Sequence, residues 1–337
     1  MHTILLAAGY GMRLRPLTLR YPKPLIPVFN RPLAGFTLLT AKSMGIERCF
    51  MNRHYLRDRF PPPEEWYRLT GITVTYLDED DFPYGTGGAI RHLFYSRGPD
   101  DVLILNTDDV SLADFSSFLS LRDKADAILY VRPNVGHRYR NLDYDPATGL
   151  LDVRSSQISR QKVMFAGVAW LSRGILERLP TSYPSDWFTD ALIPAARDGA
   201  VIRGYFDDAP WFDLGNAERF FETTGALLES FETHHLGWKR YQSWLEPVFQ
   251  PLSKGAWGHP ESRIDPDAEI TGWCLLGPGC DLGAGTRITR SVLVKNVRLR
   301  RIQVTESFLD GDLELEGFDI DHALVFEDAS GLQLMNW

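Results

Sequence analysis

The chain has 337 residues, which is too long for one small domain and fits two domains at roughly 150 residues each. Hydrophobic residues make up 44% and charged residues 24%, a globular composition that excludes a disordered chain. The formal net charge of −8 argues against a broad basic surface for nucleic acid, although a local basic pocket for a phosphate ligand is compatible with it.

The cysteines and the apolar runs favour a cytoplasmic protein. Cys49, Cys274 and Cys280 form no CxxC pair, which disfavours a disulfide framework and a zinc knuckle, so we interpret them as reduced thiols. The apolar run at residues 4–8 is too short for a signal peptide, and no stretch approaches the roughly 18 apolar residues of a membrane span. We therefore expect no membrane association.

The first half of the chain alternates between strand-like and helix-like patterns. Short apolar segments predict strands at 4–8, 48–51, 72–77, 102–105 and 127–131. Helical spacing predicts helices that include 33–44, 88–95 and 112–121. This alternation predicts an α/β, Rossmann-like fold with a mostly parallel sheet sandwiched by helices, which binds ligands at the carboxyl ends of its strands.

The pattern continues beyond the middle of the chain. We predict a strand at 163–171, a helix near 185–197 and one long helix over 216–245. The first domain is therefore predicted to span 1–245. Residues 246–260 contain several Pro and Gly residues and are predicted to be a linker.

A six-residue period then begins. Aliphatic residues recur at every sixth position from Ile264 to Val294, with glycines among them. This period fits neither a helix nor a half-buried strand, and it predicts a short left-handed parallel β-helix over 261–337 with about three hexads per coil. The pattern blurs after Arg300, so we expect an irregular or capping final coil. Such a repeat is most often a module for stability and assembly.

The segment LLAAGYGMRLRPLT, followed by YPKPLIPV, carries the strongest chemical signal. The backbone turns through Gly9 and Gly11, and glycines allow main-chain N–H groups to approach phosphate oxygens closely. Arg13 and Lys23 are close in sequence and suit a polyphosphate ligand. The spacing differs from the P-loop, and Leu14 stands where GxGxxG requires its third glycine.

This signature, LAAGxGxRLxPLT with PKPLxPV, resembles that of the sugar-1-phosphate nucleotidyltransferases, also called nucleotide-sugar pyrophosphorylases. The resemblance spans roughly the first 220 residues, and a hexad domain is a frequent C-terminal companion in that family. Mannose-1-phosphate guanylyltransferases and N-acetylmuramate-1-phosphate uridylyltransferases are the branches that the chain resembles. The implied enzyme joins a sugar 1-phosphate to a nucleoside triphosphate and releases pyrophosphate, with Mg²⁺ as cofactor.

The resemblance also implies roles for individual residues. It implies catalytic roles for Arg13, Lys23 and Asp108, and metal binding by Asp108 and Asp213. It implies nucleotide binding by Leu6, Ala7, Ala8, Gly9, Gly11, Met12, Arg13, Gly85, Thr86 and Gly87. It implies binding of the sugar phosphate by Lys23, Asn52, Asn106 and Gly167.

The local sequence supports metal binding more strongly at Asp108 than at Asp213. Asp108 follows the apolar run VLIL, and a carboxylate at the tip of a parallel strand suits a hard cation. Asp109 is expected to point to the other side of an extended chain, so we prefer Asp108. Asp213 lies in WFDLG, similar to the family's W-x-D-x-G-T, but an Asp close before Gly is more often a turn residue.

Two other motifs have structural alternatives. Gly85, Thr86 and Gly87 resemble the segment that lies against the nucleotide base, yet Thr86 also suits the cap of a helix. His54, in Asn-Arg-His-Tyr-Leu, is more readily a hydrogen-bonded structural residue than a ligand.

The chain also departs from the family pattern. Met12 stands where most members have Thr or Ser, and Asn216 replaces a Thr. The family's Glu-Lys-Pro triplet is missing, and Arg154 or Lys162 is a candidate substitute for its lysine. The segment 134–137 resembles the uridylyltransferase branch, which lacks the hexad domain.

Three hypotheses follow for the function. The first is in-line attack of the sugar phosphate on the α-phosphate, which needs no general base because the nucleophile is already anionic. The alternative, motivated by the departures, is a catalytically silent nucleotide-sugar-binding regulatory subunit. The third, an acyltransferase in the hexad domain, is disfavoured because His259 and His322 lie in no recognisable catalytic loop. Exposed edges of a β-helix also favour a homo-oligomer.

Overall fold

The computed structural model describes residues 1–135, 139–154 and 161–337, which form two compact units. The first unit comprises Met1–Tyr10 and Ala34–Trp211, and the second comprises Gly11–Leu33 and Phe212–Trp337. The glycine-rich signature is therefore divided between the units, a grouping for which the sequence has no signal. The division into 1–245, 246–260 and 261–337 stays a prediction.

A mixed sheet of nine strands, counted over the described residues, forms the centre of the first unit. The strand His2–Leu6 pairs in parallel with Arg48–Arg53 on one side and with Val102–Asn106 on the other. The five predicted strands run in one direction, and antiparallel pairing enters with the long strand Gln161–Leu171. The remaining strands of this sheet are Thr73–Asp78, Ala127–Pro133, Leu142–Tyr144, Leu151–Asp152 and Ile202–Phe206.

Helices cover both faces of this sheet. Ile4 and Ile104 share a core with the helix Gly85–Arg97, while Leu5 and Leu103, which alternate with them, are fully buried on the other face. Such nearly continuous apolar strands are what a sheet covered on both faces requires. The other helices are Leu33–Ser43, Pro63–Thr70, Arg173–Leu176 and Ile193–Arg197, with a π-helical turn at Phe188–Leu192 and 3-10 turns at Arg57–Arg59 and Phe118–Lys124.

Two helix predictions are wrong in part. Within the predicted helix 112–121, only residues 118–121 are helical, and they begin the 3-10 turn Phe118–Lys124. Side chains compete for the backbone before this turn: Asp114 accepts the Ser116 N–H at 2.9 Å. The helix predicted over 216–245 is broken beyond Glu232, where His234 adopts a φ of 55°. That segment contains Ala217–Arg219, Phe220–Glu232, Leu236–Arg240 and Gln242–Leu245. None of the helices in the described ranges combines the length and apolarity of a membrane span.

The C-terminal part of the second unit is a parallel solenoid with three faces. Ile264 stacks on Leu282, and Ile270 stacks on Ile288. These aliphatic side chains fill the centre of the coils, as the six-residue period predicts. The handedness of the coil stays a prediction. Its strands are Gln250–Ser253, Ala256–Gly258, Arg263–Ile264, Glu269–Leu276, Asp281–Leu282, Arg287–Leu293, Val297–Arg300, Gln303–Thr305, Phe308–Asp310, Leu313–Glu316, Ile320–Asp321, Ala323–Asp328 and Gly331–Asn336. The first two lie in residues 246–260, predicted as a linker.

The coils continue beyond Arg300, where an irregular or capping final coil is expected. Ile288 stacks on Val304, and Val304 stacks on Ile320. Eighteen positions separate Ile270 from Ile288, but each later step spans 16. The turns between strands contain fewer residues in these later coils. The six-residue period is therefore lost, although the inward-facing side chains remain stacked. The final strand, Gly331–Asn336, reverses direction and pairs antiparallel with Ala323–Asp328.

The other elements are short. The N-terminal segment of the second unit contains the 3-10 turns Met12–Leu14, Leu17–Leu19 and Lys23–Leu25 and the paired strands Pro27–Val28 and Arg31–Pro32. Two further short strands are Asp109–Ser111 and Trp211–Asp213.

Candidate active site

Several predicted site residues meet at the carboxyl edge of the sheet in the first unit. The Ala7 N–H donates to Oδ1 of Asn52, on the neighbouring strand, at 2.7 Å. On the other side of the same strand, the Thr107 hydroxyl donates to the Leu6 carbonyl at 2.7 Å. Asn106 lies opposite Leu6 in the register of the two strands. These strand tips are where an α/β sheet binds its ligands.

A buried carboxylate extends this network, and the sequence analysis missed it. Asn52 Nδ2 donates to Oε1 of Glu79 at 2.7 Å, and the Tyr84 N–H donates to Oε2 at 2.7 Å. Glu79 is 2% exposed, and burial raises its pKa against the opposing effect of these two hydrogen bonds. Glu79 directly follows the strand Thr73–Asp78, so the rule that selected Asn106 and Asp108 at the tip of their own strand also points to it.

His54 is a hydrogen-bonded structural residue, the role that the sequence analysis favours over that of a ligand. Its Nδ1 donates to the Glu79 carbonyl at 2.7 Å, and the Tyr10 ring contacts its ring edge to face at 5.7 Å between centroids. These contacts fix the backbone of Glu79 and the orientation of the imidazole.

The second glycine segment packs against a neighbouring loop of the first unit. The Gly87 N–H donates to the Ser185 carbonyl at 2.8 Å, and a Cβ at Gly85 would lie 2.3 Å from that oxygen. Thr86 lies inside the helix that begins at Gly85, and its hydroxyl donates to Asp186 at 2.8 Å. Thr86 is therefore not the helix cap. The close approach of Ser185 accounts for glycine at position 85, while nucleotide binding by Gly85, Thr86 and Gly87 stays a prediction.

Asp108 and Asp109 occupy different places beside the tip of the strand Val102–Asn106. Asp108 lies in the bend after this strand, and Asp109 begins the short strand Asp109–Ser111. A Cβ at Gly167 would lie 2.4 Å from Oδ2 of Asp109 and 3.5 Å from Cβ of Asn106. Asn106, Asp109 and Gly167 are therefore close together, as the sugar-phosphate prediction for Asn106 and Gly167 requires.

The cations of the signature lie in one loop of the second unit. Gly11 adopts a φ of 62°, and its carbonyl accepts the Thr18 hydroxyl at 2.9 Å. A Cβ at Gly11 would lie 3.5 Å from Cβ of Lys23, so the loop folds back on itself there. Arg13 lies in the turn Met12–Leu14 that follows, and Met12 is 56% exposed.

Asp213, also in the second unit, stabilises its own turn. Its Oδ1 accepts the Gly215 N–H at 2.8 Å, and Arg219 lies 3.8 Å from Oδ2. Asn216 accepts the Glu218 N–H and caps the next 3-10 turn, a role that the Thr of the family pattern could also fill. The convergence of Asp213 with Asp108 on one metal ion stays a prediction.

Arg154 and Lys162, the candidate substitutes for the missing lysine, both have carboxylate partners. Arg154 forms a bidentate pair with Asp152 at 2.9 and 3.2 Å, and Lys162 pairs with the fully buried Asp143. Within the 134–137 segment, residues 136 and 137 lie outside the described residues.

The N-terminal part of the chain matches a known protein family. A model of the "Nucleotidyl transferase" family matches residues 2–138, which include the divided signature, Asn52, Glu79 and Asp108. Together with the relatives described next, this match confirms the resemblance. The chain is therefore similar to the sugar-1-phosphate nucleotidyltransferases, enzymes of sugar-nucleotide synthesis, along most of its length.

The relatives match the solenoid as well as the first domain. A mannose-1-phosphate guanylyltransferase of Mycobacterium tuberculosis is 25% identical over 88% of this chain and 80% of its own length. Its Arabidopsis thaliana counterpart is 22% identical over 92% and 86%. HddC from Yersinia pseudotuberculosis, in a crystal structure with GMP-PN, has a TM-score of 0.53 at 22% identity and covers 67% of this chain and 100% of that one. The HddC likeness establishes the fold.

Proposed function

We propose that the chain transfers the guanylyl group of GTP to mannose 1-phosphate, giving GDP-mannose and pyrophosphate. The observation that carries this proposal is the guanylyltransferase identity of relatives that align across both the catalytic region and the coils. The uridylyltransferase branch, by contrast, lacks a hexad domain. The solenoid therefore favours the guanylyltransferase branch over the one that residues 134–137 resemble.

The chemistry requires little beyond positioning and charge neutralisation. An oxygen of the sugar phosphate attacks the α-phosphorus, and the bond to the departing pyrophosphate breaks in line with this attack. In this proposal Arg13 holds the pyrophosphate, Lys23 holds the α-phosphate or the sugar phosphate, and N–H groups of 8–11 cradle the nucleotide. The anionic nucleophile needs no proton acceptor.

We propose Mg²⁺ as the cofactor, held by Asp108 and Asp213. The residues fit this ion, because Mg²⁺ is usually bound by one or two carboxylates and completed by substrate phosphates. When bound, the cation supplies neutralisation of the phosphate oxygens.

A reducing, cytoplasmic location is part of the proposal. The three cysteines are buried and unpaired with one another. Burial raises the pKa of Cys49 to about 12 and that of Cys280 to about 11, so neither forms a thiolate readily.

The test is a matrix of five nucleoside triphosphates against mannose, glucose, N-acetylglucosamine and N-acetylmuramate 1-phosphates, read by pyrophosphate release. We expect GTP with mannose 1-phosphate to give the highest kcat/KM. A clear preference for UTP with N-acetylmuramate 1-phosphate would contradict the assignment of base and sugar, and would leave the enzyme class intact.

Two observations favour the silent regulatory subunit as the second candidate. Met12 replaces a hydroxyl in an exposed position, and both candidate substitutes for the missing lysine have carboxylate partners. Binding of GDP-mannose without turnover in any combination of the matrix would favour this candidate over the enzyme.

A further inference from the structure

The signature loop and the solenoid belong to one compact unit and are joined by a partly buried ion pair, in which the side chain of Arg20 is 20% exposed and that of Asp310 7%. Arg20 donates from Nε to Oδ2 of Asp310, which ends the strand Phe308–Asp310 of the coils. Asp310 is buried, and the guanidinium of Arg20 also lies over the Phe326 ring, 4.9 Å from its centroid. Arg20 is therefore held on two sides by side chains of the coils.

Neighbouring residues of the loop are anchored on the same unit. The Tyr21 ring contacts Phe308 edge to face at 6.1 Å, and burial together with the Asp310 carboxylate raises the pKa of Tyr21. Further along, Asn30 Nδ2 donates to the Leu276 carbonyl of the first coils at 3.0 Å. The loop thus has one anchor on each side of Lys23.

Hydrogen bonds between residues close in sequence link the anchor at Arg20 to the end of the loop that carries Arg13. The Arg20 N–H donates to the Leu17 carbonyl at 3.1 Å, which places Arg20 at the end of the turn Leu17–Leu19. Thr18, inside this turn, donates to the Gly11 carbonyl at 2.9 Å. Arg13 lies just beyond Gly11, so few rotatable bonds separate it from the anchored turn.

We propose that Asp310 is a positioning residue for nucleotidyl transfer: through Arg20 it fixes the loop that carries Arg13 and Lys23. This inference rests on the proposed function, which gives Arg13 and Lys23 their roles on phosphate. It assigns the solenoid a part in the reaction, beyond stability and assembly.

The physical argument concerns geometry. A partly buried ion pair contributes little net stability, because desolvation offsets the attraction between the charges. Its value lies in fixing one arrangement of a loop that has little regular secondary structure. Misplacing a catalytic group by about 1 Å can cost on the order of 10²-fold in rate.

The test uses Asp310→Asn in the full chain, a change that keeps the shape of the side chain and removes its charge. We expect kcat to fall about 10- to 100-fold, with a smaller change in the KM of either substrate. Amide hydrogen exchange is expected to speed up in residues 11–33 and not in the sheet of the first unit. Arg20→Lys, which keeps the cation, is expected to lose less activity than Arg20→Ala.

The matched control is Asp281→Asn, which removes an ion pair between two coils, Asp281 with Arg300 at 2.7 Å. It is expected to leave kcat and KM within about twofold, since the loop keeps its anchor. The inference is overturned by wild-type kinetics in Asp310→Asn, by an equal loss in Asp281→Asn, or by a loss that only tracks the unfolded fraction. Absence of turnover by the wild-type protein across the substrate matrix would instead overturn the proposed function, while the exchange measurement would still test the anchor.

Discussion

A carboxylate at a strand tip of the first unit and a carboxylate on the coils of the second differ in burial and in the kind of partner they bind. Glu79 is almost inaccessible and receives hydrogen bonds from the neutral Asn52 side chain and the Tyr84 backbone. Glu269, on the coils, is 68% exposed and pairs with Arg287 at 3.0 Å. Buried groups of the first kind hold loops in place, whereas exposed pairs of the second kind contribute little energy. Asp310 is an exception, because it lies on the coils and is buried.

The largest expected effect comes from a strand-tip carboxylate. We expect Asp108→Ala to lower kcat by about 10³-fold or more, because a phosphoryl-transfer site loses a ligand for its cation. Pyrophosphate release under saturating Mg²⁺ measures this, with a thermal melt to confirm folding. Near-normal turnover would show that Asp108 is not the metal ligand.

The signature loop is expected to be the next most sensitive region. Arg13→Ala removes one charged donor, which typically costs about 2–4 kcal/mol of transition-state stabilisation, or on the order of 10²–10³ in rate. Steady-state kinetics with both substrates varied would measure the loss. A rise in KM alone would mean that Arg13 binds substrate and transition state equally.

Asn52 tests the buried network itself. Asn52→Ala leaves the Ala7 N–H and one oxygen of Glu79 without this partner, so we expect a loss of about 1–3 kcal/mol in the free energy of unfolding. Urea unfolding at neutral pH gives the value. A loss below about 0.5 kcal/mol would indicate that water replaces the amide, and the contrast with the coils would weaken.

The smallest effect is expected at an exposed pair on the coils. Arg287→Ala removes the contact with Glu269 and is expected to change the free energy of unfolding by less than about 1 kcal/mol. The change should shrink further at high salt, where exposed charges are screened. A loss comparable to that of Asn52→Ala would remove the distinction between the two regions.

Many strand positions along the chain were predictable because apolar runs report burial directly. The strands at Val102–Asn106 and Arg48–Arg53 are each within about two residues of their predicted bounds, the usual uncertainty of boundaries, and the polar residues after them lie where the tip rule expects. Glu79 was missed only because that rule was not applied to the strand Thr73–Asp78.

Other features have no local signal. Arg20 and Asp310 are 290 positions apart, and neither belongs to a periodic pattern, so no spacing rule could join them. The regular stacking of the later coils also has no local signal, because their corners lose residues, which destroys the six-residue period while stacking continues. The sequence left open the alternative in which Thr86 caps the helix, because its partner, Asp186, is also distant in sequence.

The reversal at the C-terminus has a consequence for how the coils end. A parallel solenoid presents at its last rung a row of unsatisfied backbone groups, on which another molecule could continue the stack. Gly331–Asn336 occupies that row in the opposite direction along Ala323–Asp328. On this face of the coils, an incoming strand would therefore meet an antiparallel edge in place of a parallel rung.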